Sequence, residues 1–82
     1  MYKILITERA VRDIEKLDIK IRKRIGEKLK KYSKYPLNYA VKLVNPKIGS
    51  YRFRIGEHRV IFDIENDSIV ILRVGHRREI YK

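Results

Sequence analysis

Between Tyr51 and Asp63 the chain reads Tyr-Arg-Phe-Arg-Ile-Gly-Glu-His-Arg-Val-Ile-Phe-Asp, and from Ile69 to Tyr81 it reads Ile-Val-Ile-Leu-Arg-Val-Gly-His-Arg-Arg-Glu-Ile-Tyr. Apolar residues alternate with arginines, two imidazoles (His58 and His76) stand among them, and the phenol of Tyr81 closes the stretch. A guanidinium is planar, permanently charged and able to grip a phosphate through two parallel hydrogen bonds. Several of them on one surface can stabilise the charge that builds as a phosphate reacts, while imidazole or phenol handles a proton. The expected ligand is a phosphate ester, and RNA in particular.

Regular elements must hold these groups. A strand over residues 51–55 sends Tyr51, Phe53 and Ile55 to one face and Arg52 and Arg54 to the other. Gly56-Glu57 suits a tight hairpin turn. The next strand sends His58, Val60, Phe62 and Ile64 one way and Arg59, Ile61 and Asp63 the other, and Asn66-Asp67 provides a second turn. The apolar run from Ile69 to Val74, interrupted only by Arg73, fits a central strand covered on both faces. If Phe53, Val60 and Phe62 face a core, then Arg52, Arg54 and Arg59 share the open face, with Arg77, Arg78 and Tyr81 following. Each arginine could instead be matched with Glu57, Asp63, Glu65 or Glu79 across strands. Those acids are too few to neutralise four arginines that converge.

The preceding half of the chain supplies the support. Tyr2 to Ile6 reads as a strand. Thr7 can cap a helix carrying Ala10, Val11, Ile14 and Leu17, and Asp18 a second one whose apolar stripe is Ile21, Ile25, Leu29 and Tyr32. Both stripes need the surface of the later sheet. The outer face of the second helix is a cationic ridge of Lys20, Arg22, Lys23, Arg24, Lys28, Lys30, Lys31 and Lys34 against Glu27 alone. Residues 1–50 hold 14 basic and 5 acidic groups, an excess of nine, while residues 51–82 hold 7 and 5, an excess of two. Long-range attraction thus belongs mainly to the helices and placed chemistry to the sheet, unless the ridge is simply a solvated face. Pro36, Asn38, Asn45, Pro46 and Gly49 mark a connection, within which Ala40 to Val44 fits either a turn or an extended segment.

Length and charge bound the reading. The 82 residues make a single domain, 1–82, with a formal net charge of +11. Such a surface favours polyanions: nucleic acid, an anionic membrane or an acidic protein. With no cysteine and only two histidines, neither a metal nor another cofactor is expected. No apolar run approaches a membrane span and no signal peptide is evident, so a cytoplasmic location is expected.

The two arginine-rich motifs closely resemble the C-terminal half of RelE-type toxins of the RelE/ParE superfamily. Thr7-Glu8-Arg9-Ala10 and Glu15-Lys16-Leu17 in the helical half also look like that family. The resemblance implies an α+β fold of order βααβββ, with two N-terminal helices packed on an antiparallel sheet. It implies a metal-independent, ribosome-dependent endoribonuclease that cuts mRNA in the A site through attack of a 2′-OH on the adjacent phosphate. It further implies an acidic antitoxin that masks the basic surface, in a heterotetramer. Arg52 and Arg54 match the basic residues of the family's second strand, Arg59 the arginine of the next, and Arg77 and Tyr81 the C-terminal pair. Lys20, Arg22, Lys23, Arg24, Lys28, Lys30, Lys31 and Arg78 would hold messenger or ribosomal RNA. Where the best-known members carry lysine, this chain has Arg52, which stays protonated and cannot act as a base. Tyr81, His76 and His58 remain candidates for that role. Two alternatives stand beside the nuclease: a ParE-like inhibitor of DNA gyrase, and a non-catalytic RNA- or ribosome-binding module.

Overall fold

Thr7 ends the first strand and starts the first helix. It follows β1 (Lys3–Ile6) with extended backbone, and its hydroxyl oxygen accepts from Ala10 N at 3.2 Å, satisfying a donor that the helix start leaves open. The same hydroxyl donates to Ile71 O at 2.9 Å, fixing the helix start to the sheet. The computed structural model describes residues 1–44 and 47–81, so Asn45 and Pro46, two markers of the connection, lie outside the described residues. Helix α1 (Glu8–Glu15) is followed almost at once by α2 (Ile19–Tyr32), capped by Asp18, whose carboxylate accepts from Lys20 N at 2.9 Å. A single 3₁₀ turn, Pro36–Asn38, then leads to β2 (Val41–Lys42), β3 (Tyr51–Ile55), β4 (His58–Glu65) and β5 (Ser68–His76).

The strands form one sheet in the order β1-β5-β4-β3-β2. The pairs β2–β3, β3–β4 and β4–β5 are antiparallel, the last two joined by two-residue turns, but β1 runs parallel to β5 with Ile4 opposite Ile69. The sheet is therefore mixed, a correction to the wholly antiparallel expectation. Two helices separate β1 from the meander, which lets it enter beside the last strand in the same direction. The undecided segment after Tyr39 contributes the short edge strand β2, paired through Val41 to Arg52.

Both helices cover one face. Ala10, Ile25 and Leu29 pack with Phe53, Ile55, Val60, Phe62, Ile69, Ile71 and Val74, and the rings of Phe53 and Phe62 stack 4.2 Å apart. Each large side chain buried there is worth about 1.5–3 kcal/mol. On the other face Ile61 is fully buried without a helix above it. Gly49 makes that cover possible. Its φ is +151°, and a Cβ there would lie 2.5 Å from Ile61 Cγ2 and 3.2 Å from Leu72 Cδ1.

Beyond Ile71 the strand β5 outruns β1, and its edge would expose an unpaired amide. Asp13 of α1 fills that place: one carboxylate oxygen accepts from Val74 N at 3.0 Å and from Arg73 Nε at 2.8 Å. Burial pushes the Asp13 carboxyl up, but the Arg73 and Val74 hydrogen bonds and the charges of Arg73 and Arg9 outweigh it and hold the group below the usual carboxylate range. No helix among the described residues is long and apolar enough to cross a membrane.

Candidate functional site

Register brings the sheet arginines together. Arg54 stands directly opposite Arg59, Arg59 opposite Gly75, and Arg52 opposite Ile61, so all three arginines belong to the face that carries no helix. Like charges opposed across strands are unfavourable, and no structural need explains placing Arg54 against Arg59. Arg54 is exposed, whereas Arg59 is only 6% exposed and its Nη1 donates to Gly56 O at 3.0 Å and His58 O at 2.9 Å. Burial lowers the Arg59 guanidinium from its ordinary value. Arg54 adds to that, Tyr81 opposes it, and Arg52 and Arg77 add smaller repulsions. Those four groups are thus the electrostatic neighbours of Arg59, Arg52 and Arg54 from β3 and Arg77 and Tyr81 from the segment after β5.

Tyr81 reaches the cluster through a turn over residues 77–81. Ile80 is 2% exposed and packs over Gly75, where a Cβ would stand 3.6 Å from the Ile80 side chain. Ile80 thereby anchors the turn against the strand at the residue opposite Arg59. Tyr81 follows, and its phenolic oxygen accepts from Arg52 Nη1 at 3.0 Å. Arg52 Nε is shielded from solvent and has no hydrogen-bond partner among the described residues, leaving a donor without an acceptor beside the phenol. Arg77 N donates to Glu57 O at 2.8 Å, and Arg77 Nε meets the Glu57 carboxylate at 2.8 Å. Of the site arginines, Arg77 is thus the one held in a carboxylate pair among the described residues, an exposed pair that a stronger anion can replace.

The histidines stand apart from this group. His58 pairs in register with Ile55 and His76, on the face that packs against the helices. The two rings meet edge to face with centroids 5.5 Å apart. Burial lowers the His58 imidazole, and the nearby charges of His76, Arg24 and Arg59 add to this against a contrary pull from Glu57. The Arg24 guanidinium lies over the hairpin turn, where a Cβ on Gly56 would come within 2.9 Å of its Nη1. His58 and His76 therefore lie across the sheet from the arginine face. Arg73 is also removed from it by its bond to Asp13.

On α2, Lys20, Arg22, Lys23, Arg24, Lys30 and Lys31 are exposed and Lys28 is half-buried, and Arg78 is exposed on the C-terminal turn. Sequence reasoning missed Asp13, although its position three residues after Ala10 and four before Leu17 placed a carboxylate on the buried stripe of α1. It also missed the seating of Ile80 on Gly75, for which an isolated glycine at the end of an apolar run was the available signal.

A family model described as the ParE toxin of the type II toxin–antitoxin system parDE matches residues 4–81. Toxin RelE3 of Methanocaldococcus jannaschii is 31% identical over 96% of this chain and 94% of its own length. Toxin RelG of Mycobacterium tuberculosis is 33% identical over 99% of this chain and 97% of its own. Among solved structures, a chain of the toxin–antitoxin complex RelBE2 from Mycobacterium tuberculosis superposes with a TM-score of 0.84 at 32% identity, covering 93% of this chain and 98% of that one.

Proposed function

Because the chain belongs to the RelE/ParE superfamily of type II toxins, as a RelE-type member, we propose that it is a cytoplasmic, ribosome-dependent endoribonuclease that cleaves mRNA in the A site. The observation that carries this reading is the convergence of Arg52, Arg54, Arg59, Arg77 and Tyr81 on the helix-free face of the sheet, with a guanidinium already bonded to the phenol.

In the proposed reaction the RNA 2′-oxygen loses its proton and attacks the adjacent phosphorus, and the bond to the 5′-oxygen breaks to leave a 2′,3′-cyclic phosphate. Arg54 and Arg59 hold the non-bridging oxygens, where rigid, partly desolvated donors are most effective. Arg59 is fixed by two carbonyls, so its position is set before substrate arrives. Arg77 neutralises the leaving oxygen after exchanging the Glu57 carboxylate for phosphate. Arg52 cannot accept the proton, and both histidines lie across the sheet, which leaves Tyr81, acting as its phenolate, to take the proton from the 2′-OH and return it to the departing 5′-oxygen, so that the phenolate is regenerated. The Arg52 donor stands where it stabilises negative charge on the phenolic oxygen. The ridge of α2, with Arg78, supplies the salt-sensitive attraction to messenger and ribosomal RNA. The cognate partner is an acidic antitoxin, assembled as a heterotetramer of two toxin–antitoxin pairs.

Primer extension on mRNA translated with the purified protein tests this: cuts within codons that depend on ribosomes support it, and intact message with undiminished ribosome binding indicates a binding module. The match to a ParE description makes gyrase inhibition a second reading, decided by a supercoiling assay.

A further inference from the structure

The turn that carries Arg77 and Tyr81 is built on one side chain. His76 O accepts from Glu79 N at 2.9 Å and Ile80 N at 3.0 Å, and His76 Nδ1 accepts from Arg78 N at 3.1 Å. The first two bonds use the backbone and any residue could make them. The third requires an unprotonated ring nitrogen at that position. From this geometry we infer that His76 is a positioning residue whose neutral imidazole latches the C-terminal turn onto the arginine face, so that the site is assembled only while His76 is uncharged. Its relevance to cleavage rests on the nuclease reading above.

Proton uptake at Nδ1 would set an N–H against the Arg78 N–H, replacing a hydrogen bond with two donors facing each other. The turn would lose its side-chain closure, and with it the fixed approach of Arg77 to Glu57 and of Tyr81 to Arg52. Charged groups from several elements surround the ring. Across the strand pair stands His58, with Arg24 of α2 and Arg59 beyond it and Glu57 as the local acid. On the α1 side, a cleft of about 260 Å³ is lined by His76 with Lys16, Arg73, Asp13 and Glu79. Asp13 and Arg73 of that cleft are engaged with each other. The sign follows from the bond itself: a ring protonated at Nδ1 cannot accept there, so the latch is closed while the imidazole is neutral and opens when it takes up a proton.

Asparagine and glutamine separate a latch from mere bulk. The Oδ1 of asparagine accepts near the place of Nδ1 and carries no titrating proton, whereas the glutamine amide reaches past it. Ribosome-dependent cleavage by the wild type, His76→Asn and His76→Gln is measured from about pH 8 to about pH 5.5, the range over which histidines titrate. The wild type is expected to lose activity as the solution is acidified. His76→Asn should stay within about threefold of the wild type at the alkaline end and lose less on acidification, keeping only the pH dependence of the proton transfer itself, and His76→Gln should be down about tenfold at the alkaline end, the scale of one missing hydrogen bond. Nitrogen-15 spectra of the isolated protein give a readout that does not depend on catalysis. At the alkaline end His76 should be the tautomer protonated on Nε2, with the Arg78 amide and the Tyr81 ring shifting together as His76 titrates. A proton on Nδ1 at that pH, an Arg78 amide indifferent to the titration, or the same pH profile in wild type and His76→Asn would overturn the inference. If no protein cleaves message, the nuclease reading falls, and the spectra alone decide the latch.

Discussion

Arg52 and Tyr81, 29 residues apart in sequence, are joined by a hydrogen bond of 3.0 Å from guanidinium to phenolic oxygen. The bond ties β3 to the end of the C-terminal turn, and it brings the phenol proposed to handle the proton to a surface rich in arginine. Tyr81→Phe keeps the ring and removes only the oxygen. Cleavage of translated message should fall by about a hundredfold or more, the usual scale for losing acid–base help, while ribosome binding holds. Primer extension combined with ribosome co-sedimentation checks both halves of the statement.

Arg77→Ala should reduce cleavage as strongly, yet change folding stability by less than about 1 kcal/mol, because its pair with Glu57 is exposed on both sides at 45% and 61%. Urea denaturation alongside the cleavage assay separates the two effects. A large drop in stability would mean that the pair is structural.

Asp13→Ala leaves the Val74 amide and Arg73 without their acceptor and should cost about 1–3 kcal/mol at neutral pH. The folded carboxyl is depressed, so its stabilisation is complete above the unfolded value of about 3.9 and is lost as pH falls through the folded value. Wild type and variant should therefore converge in stability in strong acid, as followed by circular dichroism in urea.

Gly49→Ala meets both a positive φ and the Ile61 methyl, and should destabilise the fold by about 1–3 kcal/mol through overpacking. A shift in the urea midpoint with an unchanged slope is the expected result.

Changing Lys23, Lys30 and Lys31 to glutamine should weaken ribosome association and flatten its logarithmic salt dependence, by about one unit of slope for each phosphate no longer neutralised. Filter binding across a salt series reads this directly, and an unchanged slope would return the α2 ridge to a solvated surface.

Much of this arrangement was legible from residue order. Alternation from Tyr51 to Asp63 put the arginines on one face and the aromatics on the other, and the register of β3 with β4 follows from a two-residue turn at Gly56-Glu57. Thr7 and Asp18 marked the helix starts because short polar side chains satisfy open amides there. The direction of β1 was not legible, since a lone strand separated by two helices carries no local signal of which neighbour it joins. The histidines were misleading for a similar reason. Their types and spacing fitted proton transfer, but the pleat sets His58 with Val60 and His76 with Val74, toward the helices. For Asp13 the helical spacing announced a carboxylate on the buried stripe but not its partners, an arginine and a backbone amide 60 and 61 residues away.

The carboxylate of Asp13 has one more effect. A central strand that protrudes past its neighbour offers bare main chain on which a second molecule could template, the first step toward fibrils. With Val74 already occupied from within the same molecule, that amide, beyond the end of the β1 pairing, is closed to a strand of a second molecule. The acid that supports the core thus also occupies an edge amide that a second chain could otherwise pair with.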